Sequence, residues 1–183
     1  MINKLIDSLV LLKQLKSLDL SKNKFMPETL TYTFIKLATL TNLQALSLSQ
    51  VGMSDASVFQ FTNVLKTLTN LRILNISNNN SISTESIRKL MMMLKSNHVQ
   101  NLVELNVSKL NFANSEETFK ELGLFLIQSK QLRSLCLQKV GLDDATAFYL
   151  IEALSKAQKL QTLKLDFNKL TGVFVERYTK KLA

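Results

Sequence analysis

The sequence predicts an α/β fold: a solenoid, bent into a horseshoe arc, with six parallel strands on the concave inner wall and helices outside. Three observations predict it. The string LxxLxL recurs six times, as Leu15-Leu18-Leu20, Leu43-Leu46-Leu48, Leu71-Leu74-Ile76, Leu102-Leu105-Val107, Leu132-Leu135-Leu137 and Leu160-Leu163-Leu165, and its first positions step by 28, 28, 31, 30 and 28 residues. A second apolar column, Leu9, Leu37, Leu65, Leu94, Leu126, Leu154 and Leu182, keeps the same period. Between the columns the apolar spacing changes from two residues to three or four, as a strand gives way to an amphipathic helix.

The chain opens on a helix, Ile2-Leu5-Ile6-Leu9. Asp7 interrupts its apolar run and no small-residue cleavage site follows, which separates it from a secretory signal. Each LxxLxL is then a strand that buries its leucines and turns the residues between them the other way. An apolar plug follows every strand: Phe25, Met53, Ile82, Phe112, Leu142 and Leu170. Helix starts are marked by Pro27-Glu28, Ser54-Asp55, Ser83-Thr84-Glu85, Ser115-Glu116-Glu117 and Asp143-Asp144, where unpaired N–H groups need acceptors. Val58-Phe61-Val64-Leu65-Leu68 and Phe119-Leu122-Phe125-Leu126 supply buried stripes. In the run Leu90 to Leu94, helical spacing turns Leu90, Met93 and Leu94 inward and leaves a methionine exposed. Asn97-His98-Val99-Gln100 and a stretch near Asn114 lengthen two units as surface bulges. Val173-Phe174-Val175, Tyr178 and Leu182 form a seventh helix. One such unit cannot bury its apolar face alone, so residues 1–183 stack into one domain.

LKSLDLSKNKF, LRILNISNNN and LQTLKLDFNKL resemble leucine-rich repeats, and a 28-residue unit with a full helix is similar to the ribonuclease-inhibitor-like subclass. The resemblance covers nearly the whole chain. It implies an Asn or Cys three residues after the last strand position, bonded to loop backbone. Asn23, Asn79 and Asn168 stand there, whereas Val51, Leu110 and Val140 put apolar filler in the other loops. It also implies protein binding, since related arrays include activators of small GTPases and inhibitors of nucleases.

Composition narrows the function classes. Hydrophobic residues at 46% with one proline and four glycines exclude a disordered or fibrous chain. A lone cysteine, Cys136, cannot form an internal disulfide, which points to a reducing compartment, cytoplasmic or nuclear. No apolar stretch reaches the ~18 residues of a membrane span, so a membrane is not an expected partner. Twenty-three Lys+Arg against 14 Asp+Glu leave a net charge of +9, which favours acidic partners.

The raw material for catalysis is thin. His98, the sole histidine, and Cys136 lie two strands apart, roughly 10 Å laterally at ~4.8 Å per strand, and form no dyad. The sequence has no Gly-rich phosphate loop, HExxH or CxxC, so no enzyme activity, metal or nucleotide cofactor is expected. Asp143-Asp144 and Glu116-Glu117 are accounted for by the helix dipole.

Three columns face the inner wall. They are Ser17, Ala45, Ile73, Glu104, Ser134, Thr162; then Asp19, Ser47, Asn75, Asn106, Cys136, Lys164; then Ser21, Ser49, Ser77, Ser108, Gln138, Asp166. Small side chains permit close approach of a helix or extended peptide, with Ile73, Asn75, Glu104, Asn106, Cys136, Gln138 and Lys164 as contacts. Beyond the strands Lys22, Lys24, Lys109, Lys139 and Lys169 make a basic rim. Phe34, Phe61, Phe119 and Phe125 are claimed by the core, which argues against stacking on nucleic acid bases. Both ends lack an evident polar cap, as expected of a segment of a longer array or of a subunit whose ends are covered by neighbours. The expected function is a non-enzymatic interaction module or scaffold subunit of a larger cytosolic complex. It would dock a protein by its inner wall, basic rims or uncapped ends, with a cytoskeletal assembly suited to the charge. The alternatives are a regulator of an enzyme such as a small GTPase, and a low-specificity binder of acidic surfaces or polyanions.

Overall fold

The computed structural model describes residues 2–96, 99–112 and 115–176. Helix α1 (Ile2–Leu9) precedes a strict alternation: β1 (Ser17–Asp19), α2 (Pro27–Leu37), β2 (Ala45–Ser47), α3 (Asp55–Leu65), β3 (Ile73–Asn75), α4 (Thr84–Lys95), β4 (Glu104–Asn106), α5 (Glu116–Gln128), β5 (Ser134–Cys136), α6 (Asp144–Lys156) and β6 (Thr162–Lys164). The strands pair in chain order, all parallel. Their central leucines stand in one row, Leu18, Leu46, Leu74, Leu105, Leu135 and Leu163. Packed helices need ~8–10 Å each whereas strands need ~4.8 Å, so the strand layer takes the inside of the arc.

The strand leucines and helix stripes share one core. Phe34 and Phe61 pack at 5.2 Å between centroids, and Phe112 and Phe119 at 5.4 Å. Helix starts follow the marked residues. Asp143 accepts from the Thr146 backbone N–H at 2.9 Å, and Ser83 and Ser115 cap α4 and α5 likewise. Helix α2 instead begins on Pro27, whose missing N–H needs no acceptor. Burial weakens toward the last strand, where Leu160, Leu163, Leu165 and Leu170 are only half-buried.

Two expectations are corrected. Met91, not Met93, is the buried methionine, because the inward stripe of α4 is Ile87-Leu90-Met91-Leu94; Met92 is exposed and Met93 half-buried. Within the Asn97–Gln100 insertion Val99 is buried in the core, so that segment is not wholly a surface bulge. Asn97, His98 and Asn114 lie outside the described residues. The seventh helix is seen over 172–176; Tyr178 and Leu182 are outside the description.

The loops leaving the strands obey a pattern of three. In the first and fourth, the Phe25 and Phe112 N–H groups donate to Val51 O and Val140 O of the next loop. The second and fifth carry Val-Gly, Val51-Gly52 and Val140-Gly141, with glycine φ values of 85 and 84. Their N–H groups are taken by the asparagine of the next repeat. Asn79 Oδ1 accepts from Val51, Gly52 and Met53, each at 3.1 Å, and Asn168 Oδ1 accepts from Val140 and Leu142 at 3.0 and 3.1 Å. Val51, Gly52, Asp55, Phe59 and Asn79 recur as Val140, Gly141, Asp144, Phe148 and Asn168, each 89 residues later. The second half therefore rebuilds the loop framework of the first.

A second ladder, not anticipated, runs through the helix-to-strand turns. Asn42, Asn70 and Asn101 each donate through Nδ2 to a carbonyl of the preceding turn, Lys13, Thr41 and Thr69, at 2.9–3.0 Å.

Candidate partner-binding surfaces

Strand pairing sets the open face of the sheet. Because each strand turns its middle leucine inward, the flanking residues are presented together, and the register makes Asn75, Asn106, Cys136 and Lys164 successive neighbours across four strands. Ile73 and Glu104 lie side by side in the next row. Of these, Ile73, Glu104 and Lys164 are exposed; Asn75, Asn106, Cys136 and Gln138 are half-buried.

Much of this polar wall is already engaged. Asn75 Oδ1 accepts from the Ser77 N–H at 3.1 Å and Asn106 Oδ1 from the Ser108 N–H at 3.0 Å, so both carbonyls close turns at the ends of their own strands. Asp19 does the same for Ser21 at 2.8 Å, and hydrogen bonds from Ser21 hold its carboxyl below the ordinary carboxylate range. Hydroxyls link repeats sideways, Ser21 to Ser47 at 2.7 Å and Ser49 to Ser77 at 2.9 Å. Gln138 donates through Nε2 to Asp166 at 2.9 Å. Serines that read as plain polar filler therefore act as rungs. The signal was present in the 28-residue steps of Ser21, Ser49 and Ser77.

The acidic pair at α6 is structural in the same sense. Thr146, through its hydroxyl and then its N–H, holds Asp143 below the ordinary carboxylate range. Asp144 accepts from the Thr171 N–H at 2.9 Å, tying α6 to the following loop, as Asp55 accepts from Ser83 at 2.7 Å. Among the described residues no three His, Cys, Asp or Glu side chains converge on a metal-sized site. His98 lies outside them.

At the carboxyl edge of the sheet the chain turns through a left-handed residue in every repeat: Lys22, Gln50, Asn78, Lys109, Lys139 and Phe167, with φ between 53 and 62. Parallel sheets commonly present ligands at this edge. Of the basic rim, Lys109, Lys139 and Lys169 line one open groove of about 590 Å³ together with Asn78, Asn80 and Phe167. Lys22 and Lys24 stand outside it, at the first repeat. Phe167 was not foreseen as a surface residue; the residue is 84% exposed. Its place in the column otherwise held by Lys, Gln and Asn was the available clue. Phe59 and Phe148 are also exposed, on the helix side.

No helix of the described residues is long and apolar enough to cross a membrane. The family described as Leucine Rich repeat matches residues 67–91. No curated protein matches the sequence. Among solved structures, the tropomodulin C-terminal domain of Caenorhabditis elegans superposes with a TM-score of 0.68 at 15% identity, over 84% of this chain and 93% of that one. A structure of the leiomodin-1 actin-binding site 2 gives 0.69 at 16%, over 86% and 90%. The yeast Rad7 and Elc1 complex gives 0.56 at 19%, over all of this chain and 53% of that one. These likenesses establish the leucine-rich repeat fold.

Proposed function

We propose that this leucine-rich repeat array is a non-enzymatic interaction module of the ribonuclease-inhibitor-like kind, a single domain that docks a protein partner within a larger cytoplasmic or nuclear assembly. The observation that carries the reading is the open six-strand face bordered by an edge of lysines. Its inner rungs are hydrogen-bonded within the chain, so it is held rigid before any partner arrives, which lowers the ordering cost of binding. Ile73, Glu104, Cys136 and Lys164 supply contacts on the wall, with the Asn75, Asn106 and Gln138 side chains between them. An arc of this size can meet the ~800 Å² per partner of a standard interface. The fold shared with an actin-binding domain makes actin a partner to test, and the excess of lysine suits an acidic surface.

Lysine-directed crosslinking in the native source, read by mass spectrometry, tests the reading. Partner crosslinks are expected at Lys22, Lys24, Lys109, Lys139 and Lys169 in preference to the helix-side Lys66, Lys89 and Lys120, and binding should protect Cys136 from a maleimide. Crosslinks confined to the helix side, or no partner at all, would defeat it.

A further inference from the structure

We propose that the groove between the last four strand-exit loops binds an acidic, extended segment of a protein partner that carries an aromatic side chain. The inference rests on the interaction-module reading and assigns that module a site and a partner chemistry.

The internal repeat provides the comparison. In the first half the three left-handed residues are Lys22, Gln50 and Asn78, and the residue two beyond the last is Asn80. The matched positions of the second half hold Lys109, Lys139, Phe167 and Lys169. Both sets share the backbone conformation, φ 57 at Gln50 against 53 at Lys139 and φ 60 at both Asn78 and Phe167. The framework thus does not require a ring or extra cations there. A left-handed φ favours Asn and disfavours a bulky side chain, and a large ring left in solvent gains nothing from folding. An unfavourable residue held in a disfavoured conformation at a loop edge is better accounted for by what it touches in a complex.

The chemistry of the groove selects its occupant. Three lysines and one ring line it with no carboxylate among the lining residues, and among the described residues none of the three lysines is in an ion pair. Asp166, adjacent to the ring in sequence, is held by Gln138. Exposed lysines steer acidic partners but bind weakly on their own, so the Phe167 ring supplies the desolvated anchor and the lysines pair with flanking carboxylates. Single-stranded nucleic acid calls for several rings in succession, and the groove offers one. The Asn78 and Asn80 amides suit a peptide backbone.

The test uses the full chain and a fluorescein-labelled decapeptide of Asp and Glu with one central Phe, titrated by anisotropy near physiological salt. Replacing the peptide's acids by Gln, or its Phe by Gly, is expected to weaken binding at least tenfold. The triple variant K139Q/F167N/K169N, which installs the residues of the first half, should weaken it at least tenfold while leaving the thermal midpoint unchanged or higher. The charge-matched variant K66Q/K89Q, on the helix side, should change it less than twofold. Equal losses in the two variants, absence of binding by the wild-type chain, or an oligothymidylate that outcompetes the peptide through the same residues would each overturn the proposal. Such a failure alongside partner crosslinks on the strand face leaves the module reading intact, whereas missing crosslinks remove that reading first.

Discussion

Gly123 of α5 lies against the backbone of Tyr149 in α6 so closely that a β-carbon at 123 would stand 2.7 Å from the Tyr149 carbonyl oxygen. A carbonyl cannot rotate aside as a side chain can, and Ala153 Cβ would be in ordinary contact at 3.7 Å. Glycine within a helix costs about 1 kcal/mol relative to alanine, a cost accepted here for close helix approach. Gly123→Ala is expected to regain that propensity and lose more to forced separation, a net destabilisation of about 1–3 kcal/mol by urea denaturation. A neutral or stabilising result would refute the close approach.

Asn79 and Asn23 occupy equivalent loop positions with unequal duties. Asn79 is buried and bonds both its own loop and the one before it; Asn23 donates only to Leu20 O and Ser21 O of its own repeat and is exposed. Asn79→Ala strands several buried N–H and C=O groups at about 1–3 kcal/mol each and is expected to lower stability by at least ~2 kcal/mol. Asn23→Ala should cost about 0.5 kcal/mol or less. Comparable losses would mean the ladder is not what holds the loops together.

The central strand leucines predict a gradient. Leu74 is 1% exposed and Leu163 only half-buried. Leu74→Ala is expected to cost about 2–5 kcal/mol and Leu163→Ala clearly less, since fewer contacts are lost at the thinner end. Calorimetry on the two variants separates them, and equal shifts in midpoint would contradict the fall in burial.

Acid should weaken the array by a definite route. The carboxyls of Asp143, Asp55 and Asp19 sit below their ordinary value of 3.8, held there by hydroxyl and backbone N–H donors. A depressed native pKa means that the stabilisation is complete above the unfolded value and is lost as the pH falls below 3.8 through the native values. Urea midpoints are thus expected to be flat above about pH 5 and to drop steeply below it. The D55N/D143N variant should show a shallower drop; an unchanged slope would show that other groups govern acid unfolding.

Strand positions, helix starts and loop plugs were legible because each depends on a residue type recurring at one interval. Leu46, Ser83 and Phe112 each reveal their environment through the spacing of equivalents. Less could be read where one helical face admits neighbouring solutions, as at Met91 and Met93, whose choice turns on a rotation of about 100° per residue set by the packed neighbours. Asn75 and Asn106 stand half-buried on the open face, yet each turns its Oδ1 to a backbone N–H at the end of its own strand, which the alternation of the strand does not reveal.

What the sequence determined by itself is the repeat: how many strands, in what order, with which leucines in one row, because a periodic apolar pattern is buried only by stacking. What the tertiary structure decided is the use of each polar side chain. Whether a serine is a rung or a contact, whether Asn79 spans two loops while Asn23 serves one, and whether Phe167 stands in solvent depend on distances between chain segments about 28–31 residues apart. Those distances are set by backbone turns and neighbouring loops, and one-dimensional spacing carries no record of them.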